Sequence, residues 1–346
     1  MSVRAALETK IVWMTKALRF CRAYLQNYFA PNRFRAPAAP RLSIESTNIC
    51  NAKCVFCANP VMQRKKQPLS MELFKKAVDE LAAMGSTSLD FNVTIGDPLL
   101  DPYLLERARY ASRTYPQFSS LGFVTTLQWL HRFPIDEFWD SGIKWMSIST
   151  ALSGREKYAE FFGVDKYDQM MRNLLTLIEE NRRREKKIIY VIHIKPTNEP
   201  VEAVLDHPDF QRINGMVEQD LVAEVKTRGL YVDDWQGAVN LPPYLKKRPL
   251  VPRAFRPCGQ LFGGMIVYSN GNVGACNCRD FETTSELTLG NVKDNSLVEL
   301  WSGDKLARLR SDWRRKNKVP FRHRLPPSRE HRGRRDSLHL YLRISS

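Results

Sequence analysis

The chain has 346 residues and a mass of 40.0 kDa, and 43% of its residues are hydrophobic. This length suits one large domain, or one large domain with an appendage, and the hydrophobic share is enough to bury a core, which excludes wholesale disorder. No stretch approaches the roughly 20 uncharged apolar residues that a membrane-spanning helix needs, and the N-terminus lacks the pattern of a secretory signal. We therefore expect a cytoplasmic protein.

The net charge of +16 is concentrated at the two ends of the chain. Residues 1–36 carry seven Lys or Arg against one Glu, residues 304–346 carry fourteen against four acids, and the segment between them balances at 32 of each. A neutral body with basic ends argues against a nucleic-acid-binding face built into the fold. We therefore expect no specific nucleic acid partner.

Residues 4–29 predict a basic amphipathic helix, because their apolar side chains recur at alternating steps of four and three residues. The members of this stripe are Leu7, Ile11, Met14, Leu18, Cys21, Leu25 and Tyr28. Two interpretations stay open: a helix packed against its own protein or a partner, and a helix lying on a membrane surface. We assign residues 1–36 to this N-terminal segment, and prolines then mark a linker.

From residue 41 to residue 230, strand-like and helix-like runs alternate, which predicts a parallel sheet with outer helices. The strand-like runs are Arg41–Thr47, Ser88–Ile95, Ser119–Thr126, Lys144–Thr150, Ile188–Thr197 and Leu221–Arg228. The helix-like runs include Met71–Met84, Tyr103–Arg113, Asp136–Asp140 and Tyr167–Arg184. Six such units predict an α/β fold, a partial (β/α)6 barrel of the TIM type, in which chemistry collects at the carboxyl ends of the strands.

Several predicted strands carry polar side chains on one face, as a site for a polar substrate would require. These side chains are Asp90, Asn92 and Thr94, then Ser147 and Ser149, then His193, Lys195 and Thr197. Residues 231–257 follow as a proline-rich connector, and residues 258–313 form a small second module with a turn at Asn270-Gly271. The basic tail, residues 314–346, is expected to be flexible.

Six of the seven cysteines fall into two clusters. A cytoplasmic chain keeps its thiols reduced, so tight clusters favour metal binding over disulfides. The first trio (Cys50, Cys54 and Cys57) lies in a loop after the first predicted strand. Three thiolates can hold three corners of a cubane iron–sulfur cluster and leave the fourth iron open, whereas a structural zinc site ordinarily needs four closed ligands.

At the first trio the chain resembles the radical S-adenosylmethionine (radical SAM) superfamily. The resemblance rests on the cysteine spacing, the preceding strand and an aromatic residue, Phe56, immediately before the third cysteine. It implies that the trio binds a 4Fe–4S cluster whose open iron is chelated by S-adenosylmethionine, with the backbone around Phe56 near the adenine. No catalytic side chain beyond the cluster ligands is assigned.

Two further segments extend the resemblance. Gly96-Asp97-Pro98, at the end of the second predicted strand, resembles the family's Gly-Glu-Pro motif, which receives the methionine amino group. The aspartate keeps the carboxylate but shortens its reach by one methylene. Ser149, ending the fourth predicted strand, falls where the family often places a hydroxyl on the ribose. His193 and Lys195 are candidates to face the cavity or to be ordinary wall residues.

The resemblance implies an oxidoreductase-like enzyme. Reductive cleavage of S-adenosylmethionine would release a 5′-deoxyadenosyl radical that abstracts hydrogen from a biosynthetic substrate, namely a sugar, a small metabolite or a peptide. An electron donor such as flavodoxin or ferredoxin is implied as a partner. The alternative is a non-catalytic protein that binds an iron–sulfur cluster or zinc.

The second trio (Cys258, Cys276 and Cys278) resembles the opening of the SPASM or twitch extension found in this family. Leu289-Gly-Asn-Val and the segment 296–301 resemble the rest of that module, which implies an auxiliary 4Fe–4S cluster. Relatives supply further cysteines downstream, and this chain has none after Cys278. Three alternatives stay open: a cluster held by three thiols, with Asp280 the nearest oxygen ligand, a purely structural module, and a zinc site or free thiols.

Overall fold

The computed structural model describes residues 35–91, 94–217, 223–227, 231–247, 258–276 and 280–314. The predicted N-terminal helix, Cys21, Asn92, Cys278 and the tail beyond residue 314 lie outside these residues. No helix in the described ranges is long and apolar enough to cross a membrane.

The strands and helices alternate along the first two thirds of the chain, as predicted. The strands are β1 (Arg41–Ile44), β2 (Leu89–Asp90), β3 (Gly122–Thr125), β4 (Trp145–Thr150), β5 (Ile189–Ile194), β6 (Ala223–Thr227), β7 (Tyr231–Val232), β8 (Lys246–Lys247), β9 (Gly264–Val267), β10 (Asn272–Gly274) and β11 (Thr288–Asn291). The α-helices are α1 (Met71–Ala83), α2 (Leu104–Thr114), α3 (Ile135–Trp139), α4 (Gly154–Phe162), α5 (Tyr167–Arg183), α6 (Val201–Asp206), α7 (Pro208–Val217), α8 (Gly259–Gly263), α9 (Leu297–Ser302) and α10 (Asp304–Arg314).

Two groups of parallel strands form the barrel wall. β1 pairs with β2, and β3, β4, β5 and β6 form a parallel sheet in that order. The groups meet where the Phe91 N–H donates to the Gly122 carbonyl at 2.9 Å. The wall is an open, partial barrel of six parallel strands with helices between them, which confirms the predicted fold class.

Helix α1 shows how the sequence specifies these elements. It begins after Ser70, whose hydroxyl accepts a hydrogen bond from the Leu73 N–H at 3.2 Å and so caps the helix. Its apolar side chains Phe74, Val78 and Leu81 recur on one face and are fully buried. The helix therefore covers the sheet beside β1 and β2.

Helices α4, α6 and α7 were not predicted. The apolar residues of α4, Tyr158, Phe161 and Phe162, crowd its C-terminal end and show no sustained helical period. Of the second predicted strand, Leu89–Asp90 is the part that forms a strand within the described residues.

The second module continues the barrel sheet. β9 pairs in parallel with β1, which gives the strand order β11-β10-β9-β1-β2. β9 and β10 form the antiparallel hairpin predicted at Asn270-Gly271, where Gly271 has a φ of +84°. The module is thus hydrogen-bonded to the strand that leads into the first trio.

Candidate active site

The first trio lies in a loop at the carboxyl end of β1, as predicted. We call residues 45–57 the first-cysteine loop. Cys54 is 8% exposed, and Cys50 and Cys57 are half-buried. The three cysteines therefore lie in one short segment and are each at least partly buried.

Helix α4 holds this loop from the side. The Lys53 and Val55 N–H groups donate to the Phe162 and Phe161 carbonyls at 2.9 and 3.0 Å. Gly163 follows with a φ of +66°, and a Cβ there would lie 2.6 Å from the Lys53 carbonyl oxygen. Only glycine fits this approach, since a side chain would push the loop off the helix end.

Asn59 ties the loop back on itself. Its Nδ2 donates to the Ala52 carbonyl at 2.6 Å and to the Cys50 carbonyl at 3.4 Å. Its backbone N–H donates to the Cys57 Sγ at 3.4 Å, and Lys66 Nζ donates to its Oδ1 at 3.0 Å. Hydrogen bonds to cluster sulfurs are one of the factors that set a cluster's reduction potential.

Burial is the main influence on the three thiols. It raises the pKa of Cys50 to about 12, with a smaller contribution from the Asp97 carboxylate. Burial also raises the pKa of Cys57, and it raises the pKa of Cys54 well above the ordinary value. Thiols in such surroundings hold their protons until a cation replaces them, so metal binding must release protons.

The donor set fits a cubane cluster. Nowhere in the described residues do three His, Cys, Asp or Glu side chains surround one point that a single metal ion could occupy. A cubane cluster does not require its three thiolates to meet at one point, because each thiolate binds a different iron atom. Cys50, Cys54 and Cys57 would therefore hold three irons of a 4Fe–4S cluster.

The Gly96-Asp97-Pro98 turn lies directly against the first-cysteine loop. The Asp97 N–H donates to the Ile49 carbonyl at 2.9 Å. Gly96 has a φ of +137°, and a Cβ there would lie 2.4 Å from the Thr47 carbonyl oxygen. The two segments that sequence analysis singled out are thus in backbone contact, and glycine is required where they meet.

The Asp97 carboxylate is fully engaged by protein donors. Its Oδ1 accepts from the Thr125 hydroxyl at 2.7 Å and the Leu99 N–H at 3.1 Å. Its Oδ2 accepts from the Thr126 hydroxyl and N–H at 2.7 and 2.9 Å. Burial raises the pKa of Asp97, and these four hydrogen bonds oppose that effect. The carboxylate caps the 3₁₀ turn that begins at Pro98 and ties it to the end of β3.

Phe56 has contacts on three sides. Its ring lies 5.3 Å from that of Phe161, and Lys195 Nζ lies 5.3 Å from its centroid. Its carbonyl accepts a hydrogen bond from the Trp235 Nε1 at 2.9 Å. Trp235 belongs to the segment predicted as a simple connector, and it also meets Phe281 of the second module edge-on at 5.7 Å. The connector therefore contributes to the wall beside the first-cysteine loop.

The barrel face of β4 and β5 is polar where it approaches this loop. Ser147, Ser149, His193 and Lys195 are half-buried, whereas the intervening Ile148, Thr150, Ile192 and Ile194 are buried on the helix side. Ser149 and His193 are direct partners across the two strands. Lys195 is close enough to Cys54 for its charge to oppose the rise in that thiol's pKa.

Two of the second module's three cysteines flank the β9–β10 hairpin in the sequence. Cys258 precedes α8 and Cys276 follows β10; both are half-buried, and Cys278 lies outside the described part of the chain. Asp280 accepts hydrogen bonds from the Thr284 and Ser285 N–H groups and from the Thr288 hydroxyl. These bonds use the carboxylate to shape its own loop.

Sequence reasoning missed several residues of this site, among them Glu45, Asn51 and Trp235. Glu45 had a usable signal, because a charged residue directly after an apolar strand and before a ligand loop needs a partner. The sequence signal for Asn51 was weaker and consists of its position next to Cys50. Nothing local to the connector distinguishes Trp235, whose partners are far away in the chain.

Family models match most of this region. The radical SAM superfamily model matches residues 44–207, and the model of the iron–sulfur cluster-binding domain named SPASM matches residues 258–323. No curated protein matches the chain.

Solved structures share the fold at low sequence identity. BtrN in complex with AdoMet and 2-DOIA is 18% identical with a TM-score of 0.52, over 80% of this chain and 87% of that one. SuiB of Streptococcus suis bound to S-adenosylmethionine is 14% identical with a TM-score of 0.55, over 86% and 73%. The anSMEcpe structure with bound AdoMet is 15% identical with a TM-score of 0.51, over 78% and 79%.

The matched models coincide with the observed site. The first covers the cysteine loop, the Gly96 turn and the strands β2 to β5, and the second covers Cys258 and Cys276. The cofactors of this combination are a 4Fe–4S cluster and S-adenosylmethionine, with auxiliary iron–sulfur binding in the second domain. The chain therefore belongs to the radical SAM superfamily of enzymes and carries a SPASM domain.

Proposed function

We propose that this chain abstracts hydrogen from a small polar substrate, such as a sugar or another small metabolite. The observation that carries the proposal is the polar strand face next to the first-cysteine loop. Ser147 and His193 are half-buried there, and the Lys195 ammonium lies over the Phe56 ring. Hydroxyl, imidazole and ammonium groups form hydrogen bonds with polar substrates. An apolar group of a substrate would find few suitable contacts on this strand face.

The first trio would hold the cluster, and Phe56, Gly96, Asp97, Pro98 and Ser149 are proposed to line the S-adenosylmethionine site. When bound, the cluster and S-adenosylmethionine supply a 5′-deoxyadenosyl radical, using one electron from a donor such as flavodoxin or ferredoxin. The chain's own residues hold the cofactors in register and limit access of water.

Asp97 has a particular place in this proposal. A carboxylate offers about four lone-pair positions, and four protein donors already use them. We therefore propose that Asp97 favours the methionine ammonium through its charge and by fixing the turn. Ser149 is proposed to hydrogen-bond to the ribose from its position at the end of β4.

Anaerobic reconstitution tests the reaction. The protein is loaded with iron and sulfide, reduced with dithionite and given S-adenosylmethionine, and 5′-deoxyadenosine is measured. We expect 5′-deoxyadenosine to form. Its absence from protein that holds the first cluster would contradict the proposal and favour a non-catalytic iron–sulfur protein.

Deuterium transfer tests the substrate class. Extracts of cells grown in heavy water are divided into a small-molecule fraction and a peptide fraction, and each is offered to the reduced enzyme. Since the radical takes a hydrogen atom from the substrate, 5′-deoxyadenosine gains deuterium only from the fraction that contains the substrate. Labelling by the peptide fraction alone would refute the small-metabolite proposal.

A further inference from the structure

A buried carboxylate, Glu45, joins three separate segments of the site. It directly follows β1, and its side chain is fully buried. Arg64 donates to both of its oxygens, at 2.7 and 3.1 Å. The Ser269 N–H of the SPASM domain donates to it at 3.2 Å, and the Ile95 N–H, next to the Gly96-Asp97 turn, at 3.4 Å.

Arg64 extends this junction further into the SPASM domain. Its side chain is 6% exposed, and its Nε donates to the Phe281 carbonyl at 2.5 Å. Its guanidinium lies 5.1 Å from the centroid of the Tyr268 ring. The Tyr268 hydroxyl in turn donates to the carbonyl of Cys276 at 2.8 Å. A continuous chain of contacts thus runs from Glu45, in the loop that carries the first trio, to Cys276 of the second trio.

The backbone beside Arg64 makes the same connection. The Gln63 and Arg64 N–H groups donate to the two carboxylate oxygens of Glu282 at 2.8 and 3.1 Å. Gln67 Nε2 donates to the Ser269 carbonyl at 3.3 Å. Residues 63–67 are therefore attached to the SPASM domain by both main-chain and side-chain groups.

A buried ion pair is seldom retained for net stability, since desolvating two charges offsets much of their attraction. Its geometric demands, however, fix the segments that supply the partners. The guanidinium here binds a planar carboxylate with two parallel hydrogen bonds, which specifies distance and orientation together. Such a pair is suited to fixing the position of one chain segment relative to another.

We propose that Glu45 and Arg64 are positioning residues that hold the SPASM domain and the first-cysteine loop in one fixed register. The inference rests on the proposed function, because it states that the Glu45–Arg64 pair aligns the SPASM domain with the proposed S-adenosylmethionine site. Neither residue is proposed to touch the substrate or the cluster.

The test uses the full chain after anaerobic reconstitution. Arg64→Lys keeps the charge but loses the paired geometry, and Glu282→Ala removes the acceptor of the neighbouring N–H groups without disturbing the buried pair. Gln63→Ala is the matched control: it keeps the backbone N–H that binds Glu282 and removes a side-chain Nε2 that donates locally, to the Val61 carbonyl at 2.9 Å. Asn181→Ala is a second control, a buried amide on α5 that binds Ile188.

Two quantities are measured. Hydrogen exchange reports the opening of residues 50–67 and 264–276, and we expect it to be about tenfold faster in both segments for Arg64→Lys and Glu282→Ala. The cluster's electron paramagnetic resonance spectrum is titrated with S-adenosylmethionine, and we expect Arg64→Lys to need about tenfold more of it for half-maximal change. Gln63→Ala should match the wild type in both.

Asn181→Ala separates positioning from general destabilisation. It should lower thermal stability while leaving the spectral titration unchanged. A normal titration and normal exchange in Arg64→Lys would overturn the inference, as would exchange that rises in only one of the two segments. A wild-type spectrum that never responds to S-adenosylmethionine would instead contradict the proposed function, and the exchange result would then decide the inference by itself.

Discussion

The Asn51 Nδ2 donates to the Gln128 Oε1 at 2.9 Å, which joins the first-cysteine loop to the turn after β3. Gln128 is fully buried, and its Nε2 donates onward to the Tyr158 hydroxyl at 2.7 Å. The Trp129 Nε1 donates to the Asn51 Oδ1 at 2.8 Å. Since Thr126 of the same turn binds Asp97, this single turn supports both the cysteine loop and the Gly96-Asp97 turn.

We predict that Asn51→Ala weakens iron retention. The substitution leaves the buried Gln128 oxygen and the Trp129 N–H without their partner, at a cost of about 1–3 kcal/mol for each group that stays buried. The loop that carries Cys50 should therefore open more often. Iron counting after anaerobic gel filtration measures the loss, and thermal unfolding measures the change in stability.

Asn173→Ala is the comparison for that variant. Asn173 is also buried, and its Nδ2 donates to the Leu127 carbonyl at 2.7 Å, one residue before Gln128. It does not belong to the cysteine loop, so it should lower stability and retain iron. Equal iron loss in the two variants would show that general destabilisation is the cause.

A second prediction concerns the two glycines with positive φ at positions 85 and 96. Gly85 has a φ of +78° and open space around a Cβ, so Gly85→Ala should cost about 1 kcal/mol in backbone strain alone. Gly96→Ala adds a collision with the Thr47 carbonyl and should cost more than about 3 kcal/mol. Urea unfolding of the metal-free variants measures both. Comparable values would mean that the loop and the turn are not in tight contact.

Removal of a ligand should separate the two cysteine sites. Cys54→Ala removes one of three anchors of a cluster that has no spare thiol, so about four irons and every spectral response to S-adenosylmethionine should be lost. Cys276→Ala should affect the auxiliary site and preserve that response. Iron and sulfide analysis with resonance spectra provides the measurement. Loss of the response in both variants would argue against two separable sites.

The thiol environment predicts the pH dependence of the metal-free protein. The pKa of Cys50 is raised to about 12 in the folded chain from an ordinary value near 9. A group of this kind contributes its full stabilisation below about pH 9 and loses it as pH rises toward 12. The free energy of unfolding should therefore fall across that window, with a shallower fall in Cys50→Ser.

Urea unfolding under reducing conditions, from about pH 8 to about pH 11, checks this prediction. The other buried thiols and tyrosines titrate in both proteins, so the difference between the two slopes isolates Cys50. Parallel slopes would mean that the Cys50 thiol is solvated in the folded state.

Local patterns were sufficient for most of the barrel. Helix α1 begins at Met71, as predicted, and β4 and β5 lie within their predicted ranges, because apolar periodicity depends on neighbours in sequence. The short α4 was missed because its apolar residues, Tyr158, Phe161 and Phe162, crowd one end and show no helical period. The predicted connector proved to be part of the site wall through Trp235.

The amino-acid sequence by itself determined the chemistry: the spacing of Cys50, Cys54 and Cys57 after a strand, and Gly96-Asp97-Pro98 after the next one. Such motifs are local, since a loop must present several ligands from one short segment. Only the tertiary structure decided that Asp97 binds Thr125 and Thr126, and that Glu45 and Arg64 join the SPASM domain to the cysteine loop. Those partners come from segments that are separated in the sequence, and a buried charge acquires its partner only when the chain has folded.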